Sequence, residues 1–374
     1  MDTIPFGTRS GYTVPRVSMG CMRLPGDIDE AAELIRYGID KGMRYLDTSM
    51  GYGESEKKIG VALKGGYREK VILSTKWSPW IKKVEERDAA DVDSVLRHIE
   101  ASMKRLDVDC LDFYQVWNIM NRDNYDAAVK KGGFVDGIRE AKKRGLVKHI
   151  GFTSHDSPKN LLTYLDEVDW CEILLVTYNY LNTAYTEVLA KAHEKGIGTI
   201  IMNPMGGGKL AEPSSVFSPM AERAGCSSTA EMALRYVLAN TSIDTMIVGI
   251  SKKKDVDDAF TALERGPIAQ DNVAALNERA ASVSNKSVNF CTRCGYCMPC
   301  PQDVNIPEVM SAIYHARFLD MKKAALSSYK GIGTNGWVKG KNASACINCG
   351  ECVPKCTQKL AIPDEMEWAA GQFK

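Results

Sequence analysis

Eight of the twelve cysteines in this 374-residue chain fall in two short runs near the C-terminus. The runs are Cys291, Cys294, Cys297 and Cys300, followed by Cys346, Cys349, Cys352 and Cys356. Closely spaced thiolates can each bind one iron of a cubane, and a fourth cysteine that precedes a proline typically reaches the other cluster of a pair. Because Cys300 precedes Pro301, the spacing predicts two [4Fe-4S] clusters with crossed ligands.

Crossed ligands divide these cysteines into two sets of four. The first set is Cys291, Cys294, Cys297 and Cys356, and the second is Cys346, Cys349, Cys352 and Cys300. Tetrahedral zinc is the alternative for paired C-x2-C spacing, but two runs of four thiolates exceed what a zinc ribbon needs. The other cysteines sit singly in apolar segments and are expected in the core; they are Cys21, Cys110, Cys171 and Cys226.

A second group of residues suits proton transfer. Asp47 and Tyr52 follow one apolar run, and Lys76 ends the next one. An ammonium beside a phenol favours the phenolate and lowers the pKa of the phenol toward working pH, while a carboxylate keeps the ammonium charged. We therefore expect Tyr52 to act as a general acid with a lowered pKa.

The elements that must position these residues alternate regularly. Eight short apolar runs predict strands at Val17–Met22, Met43–Thr48, Val71–Lys76, Cys110–Trp117, Lys148–Thr153, Cys171–Tyr178, Gly198–Asn203 and Thr245–Ile250. Segments with helical periodicity separate them, including one helix predicted at Tyr125–Arg144. Eight such units predict a closed (β/α)8 TIM barrel, whose chemistry lies at the carboxyl ends of the strands. An open doubly wound sheet is the alternative, but Gly20-Cys21-Met22-Arg23 is no Gly-rich phosphate turn.

The cysteine runs and the composition limit the remaining possibilities. We predict a barrel over 1–284 and a smaller cluster domain over 285–374, with a helix at Glu308–Lys323.

A net charge of +1 gives no global field for nucleic acid. No apolar run approaches the roughly 20 residues of a membrane helix. Exposed cubanes lose iron in oxidising surroundings, so we predict a cytoplasmic protein.

The strand ends resemble those of the aldo-keto reductase family. The matching segments are Asp47-Thr48-x-x-x-Tyr52-Gly53-x-Ser55-Glu56, Ser74-Thr75-Lys76, Gly151-Phe152-Thr153-Ser154-His155 and Ala233-Leu234-Arg235-Tyr236-Val237-Leu238. The resemblance covers nearly all of residues 1–265 and, with the cysteines, points to the branch with a ferredoxin-like extension. It implies that NADP(H) donates hydride to a small-molecule carbonyl substrate while tyrosine protonates the oxygen. Asp47, Tyr52 and Lys76 match three of the four catalytic positions.

The fourth catalytic position departs from the family. Trp117 stands where a histidine is usual, and an indole N–H can donate a hydrogen bond but cannot titrate or relay a proton. A substrate-orienting role and a purely structural role for Trp117 both remain open. Leu175 and Met202 replace the glutamine and the stacking tyrosine that usually contact the nicotinamide.

Other residues are suited to a dinucleotide. Ser154 matches the position that contacts the nicotinamide carboxamide, and the glycines after the seventh strand allow a close approach of phosphate. The full set of predicted cofactor-binding residues is Ser154, His155, Asn203, Gly206, Gly207, Gly208, Lys209, Gly249, Ser251, Lys252 and Lys253. A solvated, non-binding surface is the alternative for these lysines.

Cubanes pass single electrons, whereas nicotinamide transfers a hydride. A flavin is the ordinary mediator between the two, although no motif in the sequence demands one. We favour a carbonyl reductase whose clusters carry electrons, with a ferredoxin or other electron-transfer protein as a partner. The alternatives are a barrel reductase with structural or sensing clusters, a flavin-mediated electron-transfer enzyme and a non-catalytic redox sensor.

Overall fold

The computed structural model describes residues 2–80, 88–286, 291, 295–356 and 358–374. They form two compact units. The first unit comprises Met1–Gly207 and Ala233–Ile268, and the second comprises Gly208–Met232 and Ala269–Lys374. These units are defined by contacts and include a discontinuous segment. The sequence-based division into domains 1–284 and 285–374 stays a prediction.

The first unit is a closed barrel of eight parallel strands. The described strands are β1 Ile4–Pro5, β2 Thr13–Val14, β3 Val17–Gly20, β4 Tyr45–Asp47, β5 Ile72–Trp77, β6 Leu111–Ile119, β7 Val147–Ser154, β8 Ile173–Thr177, β9 Gly198–Met202 and β10 Thr245–Gly249. Strands β3 to β10 close in chain order, with β10 pairing β3. This confirms the predicted (β/α)8 barrel, and the open sheet is wrong.

The short hairpin of β1 and β2 closes the amino-terminal end of the barrel. Phe6, between the two strands, packs edge-on against Tyr45 and Phe113 with ring centroids 5.4 and 5.6 Å away. The amide of Gly7 donates a hydrogen bond of 2.9 Å to Asp244, just before β10. Because aromatic side chains fill this end, the carboxyl ends of the strands are the face available for chemistry.

Helices follow most of the barrel strands. The described α-helices are α1 Ile28–Lys41, α2 Ser55–Ala62, α3 Val92–Leu106, α4 Arg122–Val129, α5 Phe134–Lys143, α6 Pro158–Glu167, α7 Thr186–Glu194, α8 Ser218–Arg223, α9 Thr229–Leu238, α10 Lys253–Arg265, α11 Gln270–Lys286, α12 Ile306–Arg317, α13 Lys322–Lys330 and α14 Ile362–Gln372. Helix α1 shows why they begin and end where they do. Asp27 accepts hydrogen bonds from the amides of Asp29 and Glu30, and Gly42 ends the helix with φ of 115°.

Two predicted helices are each divided in the structure. The helix expected at Tyr125–Arg144 is α4 and α5, because Gly132 between them has φ of 72°, outside the helical range. The helix expected at Glu308–Lys323 is α12 and α13, and Asp320 in the connection has φ of 52°. A single left-handed residue interrupts the backbone ladder, which side-chain periodicity does not reveal.

The second unit has its own apolar core between α12, α13 and α14. The buried side chains at its centre include Val309, Ile313, Tyr329, Met366 and Phe373. The segment Gly208–Met232, which follows β9, also belongs to this unit. In that segment, the carboxylate of Glu212 accepts hydrogen bonds of 2.8 and 2.7 Å from the amides of Lys323 and Ala324, at the start of α13. Among the described residues, no helix combines the length and the apolarity that crossing a bilayer requires.

Candidate active site and cluster cavities

Asp47, Tyr52 and Lys76 lie together at the carboxyl ends of two neighbouring strands. Asp47 ends β4, and Lys76 lies in β5 beside it. The Nζ of Lys76 donates hydrogen bonds to Oδ1 of Asp47 and, at 2.9 Å, to the carbonyl oxygen of Thr48. The same Nζ lies 5.1 Å from the centroid of the Tyr52 ring. The structure therefore brings together the three residues that the sequence singled out for proton transfer.

The charges of this group differ from the expectation in one respect. Burial raises the pKa of Tyr52; the Lys76 ammonium opposes this rise and the Asp47 carboxylate adds to it. Burial acts to lower the pKa of Lys76, but Asp47 and Tyr52 outweigh it and the net pKa is raised. The expected lowering of the Tyr52 pKa is therefore wrong in direction. At neutral pH the site holds a neutral phenol beside an ammonium, which is the protonation state of a proton donor.

Trp117 forms a wall beside Tyr52. It lies in β6, is 6% exposed and meets the Tyr52 ring edge-on, with centroids 5.6 Å apart and an interplanar angle of 85°. A Cβ at Gly51 would lie 2.7 Å from Cη2 and Cζ3 of the indole. Trp117 therefore packs directly on the loop that carries the phenol, and it contributes to the burial around that loop.

Gly51→Ala is expected to disturb the site through this contact. Carbon atoms do not approach to 2.7 Å, so the added methyl must move the indole or the Tyr52 loop. Since a misplacement of about 1 Å can cost up to about 10²-fold in rate, we expect a fall in kcat of that order, measured with any carbonyl compound that the enzyme reduces. Gly26→Ala is the matched control, because its Cβ would have no heavy atom within 4 Å. Equal rates for both variants would show that the Gly51–Trp117 contact does not matter.

Two residues of this face were missed by the sequence reasoning. Gln115 lies beside Lys76 in the register of β5 and β6, and its Nε2 donates a 2.9 Å hydrogen bond to Oδ2 of Asp47. Arg23 follows β3, and its Nη1 donates a 2.8 Å hydrogen bond to the carbonyl oxygen of Gly207. An amide within an apolar strand, or a guanidinium after one, carries no spacing signal. Only the fold reveals these two residues.

The residues predicted to contact the nicotinamide differ in their surroundings. Ser154 ends β7, and its Oγ donates to the carbonyl oxygen of Ile119 at 2.7 Å and accepts from the amide of Asp156 at 3.0 Å. His155 is exposed just after it. Leu175 is 1% exposed in the barrel core, and Met202 packs against the same core. The departures at Leu175 and Met202 are thus filled by apolar packing.

The glycines after β9 adopt the backbone that the prediction requires. Asn203 has φ of 55°, and Gly206, Gly207 and Gly208 have φ of 56°, 73° and 94°. A Cβ at Gly207 would lie 3.3 Å from Nη2 of Arg23. A guanidinium therefore lies beside the backbone of this loop, and Lys209 follows in the 3-10 helix Gly206–Ala211. Phosphate binding by these residues stays a prediction.

At the start of α10, after Gly249, the Asp255 side chain supplies a carboxylate that binds the free backbone donors. Oδ2 of Asp255 accepts hydrogen bonds of 2.8 Å from the amide and from Oγ of Ser251, and one of 3.2 Å from the amide of Lys252. The donors predicted to bind phosphate are thus occupied by a carboxylate of the chain. The side chains of Lys252 and Lys253 are exposed.

The described cluster cysteines line two cavities in the second unit. Cys300, Cys346, Cys349 and Cys352 line one cavity together with Cys297. Cys291, Cys297 and Cys356 line the other, and Cys294 lies outside the described residues. Apolar side chains, including Ile306 and Ile362, line both cavities. Thiolates around an apolar cavity suit iron–sulfur clusters. Because Cys297 lines both cavities, the division of the cysteines into two crossed ligand sets stays a prediction.

Comparison with known protein families identifies the family of this chain. The sequence model of the aldo/keto reductase family matches residues 16–281. This chain belongs to the aldo/keto reductase family. A model of a 4Fe-4S dicluster domain matches residues 290–361, so this aldo/keto reductase carries an iron–sulfur domain at its C-terminus. The match supports iron–sulfur clusters rather than zinc at the cysteine runs.

Relatives of this aldo/keto reductase include other oxidoreductases. An uncharacterized oxidoreductase of Bacillus subtilis, YrpG, is 29% identical over 298 residues, which are 68% of this chain and 89% of the relative. L-galactose dehydrogenase of Arabidopsis thaliana is 26% identical over 307 residues, 74% of this chain and 93% of the relative. The holo form of the aldo-keto reductase AKR11C1 from Bacillus halodurans superposes with a TM-score of 0.64 at 22% identity, covering 75% of this chain and 96% of that one. The family and these relatives establish an oxidoreductase with the barrel fold.

Proposed function

We propose that this enzyme reduces a small carbonyl compound with NADPH or NADH in the cytoplasm, using Tyr52 as the general acid. The observation that carries the proposal is the buried contact of Lys76 with Asp47 and Tyr52. A bound nicotinamide would supply the hydride to the carbonyl carbon. Tyr52 donates its phenolic proton to the carbonyl oxygen, and Lys76 remains charged and stabilises the phenolate that results. Trp117 replaces the usual histidine as a wall that excludes water.

The loops after β9 and β10 support dinucleotide binding. Gly206 and Gly207 allow the backbone to approach a pyrophosphate, and the guanidinium of Arg23 lies against them. Arg23 is thus proposed as an addition to the predicted set. Ser154 is held by Ile119 and Asp156, so its hydroxyl oxygen would serve the nicotinamide only as an acceptor.

Asp255→Asn tests whether the start of α10 binds phosphate. The Asp255 carboxylate accepts hydrogen bonds from the amides of Ser251 and Lys252. Its negative charge also repels any phosphate that approaches this turn. Removing one charge at about 4 Å is worth about 1 kcal/mol in water, or roughly fivefold in affinity. NADPH carries a phosphate group that NADH lacks, so we expect NADPH to bind roughly fivefold tighter while NADH changes little, as measured by fluorescence titration. Asp258→Asn is the control, since Asp258 pairs with Lys254 instead. An equal shift for both dinucleotides would contradict a phosphate site here.

We further propose that the second unit holds two [4Fe-4S] clusters that exchange electrons with the barrel site. Two such clusters would take up the two electrons of one hydride singly, and the dinucleotide would be left oxidised with release of one proton. Cys349 is exposed, which supports exchange with a ferredoxin or another single-electron carrier. A flavin is the proposed mediator if hydride must be split into single electrons.

The visible spectrum of anaerobically purified, cluster-loaded enzyme tests this coupling. We expect NADPH to bleach the thiolate-to-iron absorption, because reduced clusters absorb less in this region. A flavin released by denaturation would show its own spectrum. Carbonyl reduction with no bleaching would contradict coupling and leave the barrel as a self-contained reductase with structural or sensing clusters. Absence of carbonyl reduction with every dinucleotide would contradict the reductase itself and favour a sensor.

A further inference from the structure

Among the described residues, Gln115 makes the shortest hydrogen bond to Oδ2 of Asp47, at 2.9 Å. The other donor to Oδ2, the Tyr45 hydroxyl, lies 3.5 Å away. The Gln115 side chain is 0% exposed. Nε2 donates to Oδ2 of Asp47 at 2.9 Å and to Oγ of Ser74 at 2.8 Å. Among the described residues, the Oε1 of this amide accepts no hydrogen bond. The barrel therefore retains a buried amide whose contribution here is to donate.

The amide contact completes the fixation of the Asp47 carboxylate. Oδ1 accepts from the Lys76 ammonium, and Oδ2 accepts from Gln115 and, at 3.5 Å, from the Tyr45 hydroxyl. A carboxylate held at both oxygens cannot rotate about its Cβ–Cγ bond without breaking a buried hydrogen bond. A carboxylate held at Oδ1 alone could rotate and take the ammonium with it.

The orientation of Asp47 matters because Lys76 has three N–H bonds to direct. One points to Asp47 and one to the carbonyl oxygen of Thr48. The same ammonium lies over the Tyr52 ring, with Nζ 5.1 Å from the ring centroid. An ammonium has three donors in fixed tetrahedral geometry, so two fixed acceptors determine where the third donor points.

We propose that Gln115 is a positioning residue that locks Asp47 so that the Lys76 ammonium stays in place against the Tyr52 phenol. This inference rests on the proposed function, in which Tyr52 donates the proton. Gln115 touches no reacting atom. It acts across three consecutive strands, β4, β5 and β6, through one hydrogen-bonded chain. The Cα register supports this path, because Gln115 pairs Lys76 and Asp47 pairs Ser74.

Gln115→Met removes the amide while keeping an unbranched side chain of similar length. We expect kcat for carbonyl reduction to fall about tenfold or more, the effect of losing a hydrogen bond to a charged group, with the KM for the dinucleotide unchanged. Gln115→Glu should also slow the reaction, because a carboxylate would face Asp47, and it serves as the second variant if Gln115→Met fails to fold. Ser74→Ala removes the other acceptor of the same amide and is expected to change kcat less than twofold.

A double-variant cycle separates positioning from general destabilisation. In a Tyr52→Phe background no proton donor remains to be oriented, so Gln115→Met should then lower the residual rate less than twofold. The same tenfold loss in both backgrounds would overturn the inference and indicate a structural role. An unchanged kcat for Gln115→Met, with Tyr52→Phe strongly impaired, would overturn only this inference. An unimpaired Tyr52→Phe enzyme would overturn the proposed function as well.

Discussion

Tyr52→Phe is expected to lower kcat for carbonyl reduction by about 10²- to 10⁴-fold, the range attributed to general acid catalysis. The phenol is the proton donor beside Lys76, whereas the phenylalanine ring keeps the packing against Trp117. Dinucleotide affinity should stay within about twofold, because Tyr52 is not among the proposed phosphate contacts. The measurement is steady-state reduction of a panel of aldehydes and ketones with NADPH and NADH.

A tyrosine elsewhere in the barrel provides the matched control. Tyr37 lies on α1, where its hydroxyl donates a 2.6 Å hydrogen bond to Asp257, and Tyr37→Phe should leave kcat unchanged. If Tyr52→Phe retained the full rate, another group would have to supply the proton.

The pH dependence of reduction checks the same assignment. Burial raises the pKa of Tyr52 above its ordinary value despite the opposing Lys76 charge. A general acid works while it is protonated, so a raised pKa extends the active range upward. We expect kcat to be flat through neutral pH and to fall only at pH values above the ordinary pKa of a tyrosine. Trp117 cannot titrate, so it adds no transition near the pKa of histidine. A fall in kcat centred near pH 7 would contradict this protonation state.

Replacing cluster cysteines is expected to remove iron in a pattern set by the crossed ligands. Wild-type protein should hold about eight irons, four in each cubane. Cys356→Ala should lose about half of them, and so should Cys346→Ala, because the two residues line different cavities. The doubly substituted C346A/C356A protein should lose nearly all its iron. By contrast, C291A/C356A should lose no more than Cys356→Ala alone, since both residues line one cavity.

Iron and sulfide analysis, with electron paramagnetic resonance of the reduced protein, measures these losses. Cys226→Ala is the control, because Cys226 is buried in the same unit but lines neither cavity. Loss of a cluster should also destabilise the second unit, since metal binding contributes to folding where a site forms only in the native state. Equal iron in C346A/C356A and in either single variant would show that Cys346 and Cys356 serve one cluster, contrary to the crossed assignment.

Local patterns in the sequence were sufficient for several conclusions. The cysteine spacing determined the 4Fe-4S domain, because the ligands of a cluster come from closely spaced turns. Alternating apolar and helical segments determined the barrel, and Asp47, Tyr52 and Lys76 could be found at its strand ends. Even the carboxylate cap at the start of α10 is a local feature, since Asp255 lies four residues after Ser251, although the sequence reasoning took this turn for a phosphate cradle.

Other features were decided only by the tertiary structure. The donor to Asp47 comes from Gln115, 68 positions away, and a lone glutamine in an apolar strand gives no signal of its role. The inclusion of Gly208–Met232 in the second unit likewise depends on contacts such as Glu212 with the start of α13. The pKa of Tyr52 rises instead of falling because burial outweighs the charge of Lys76. Residue types and spacing reveal which charges are neighbours, but desolvation and the direction of a hydrogen bond depend on how distant segments pack around them.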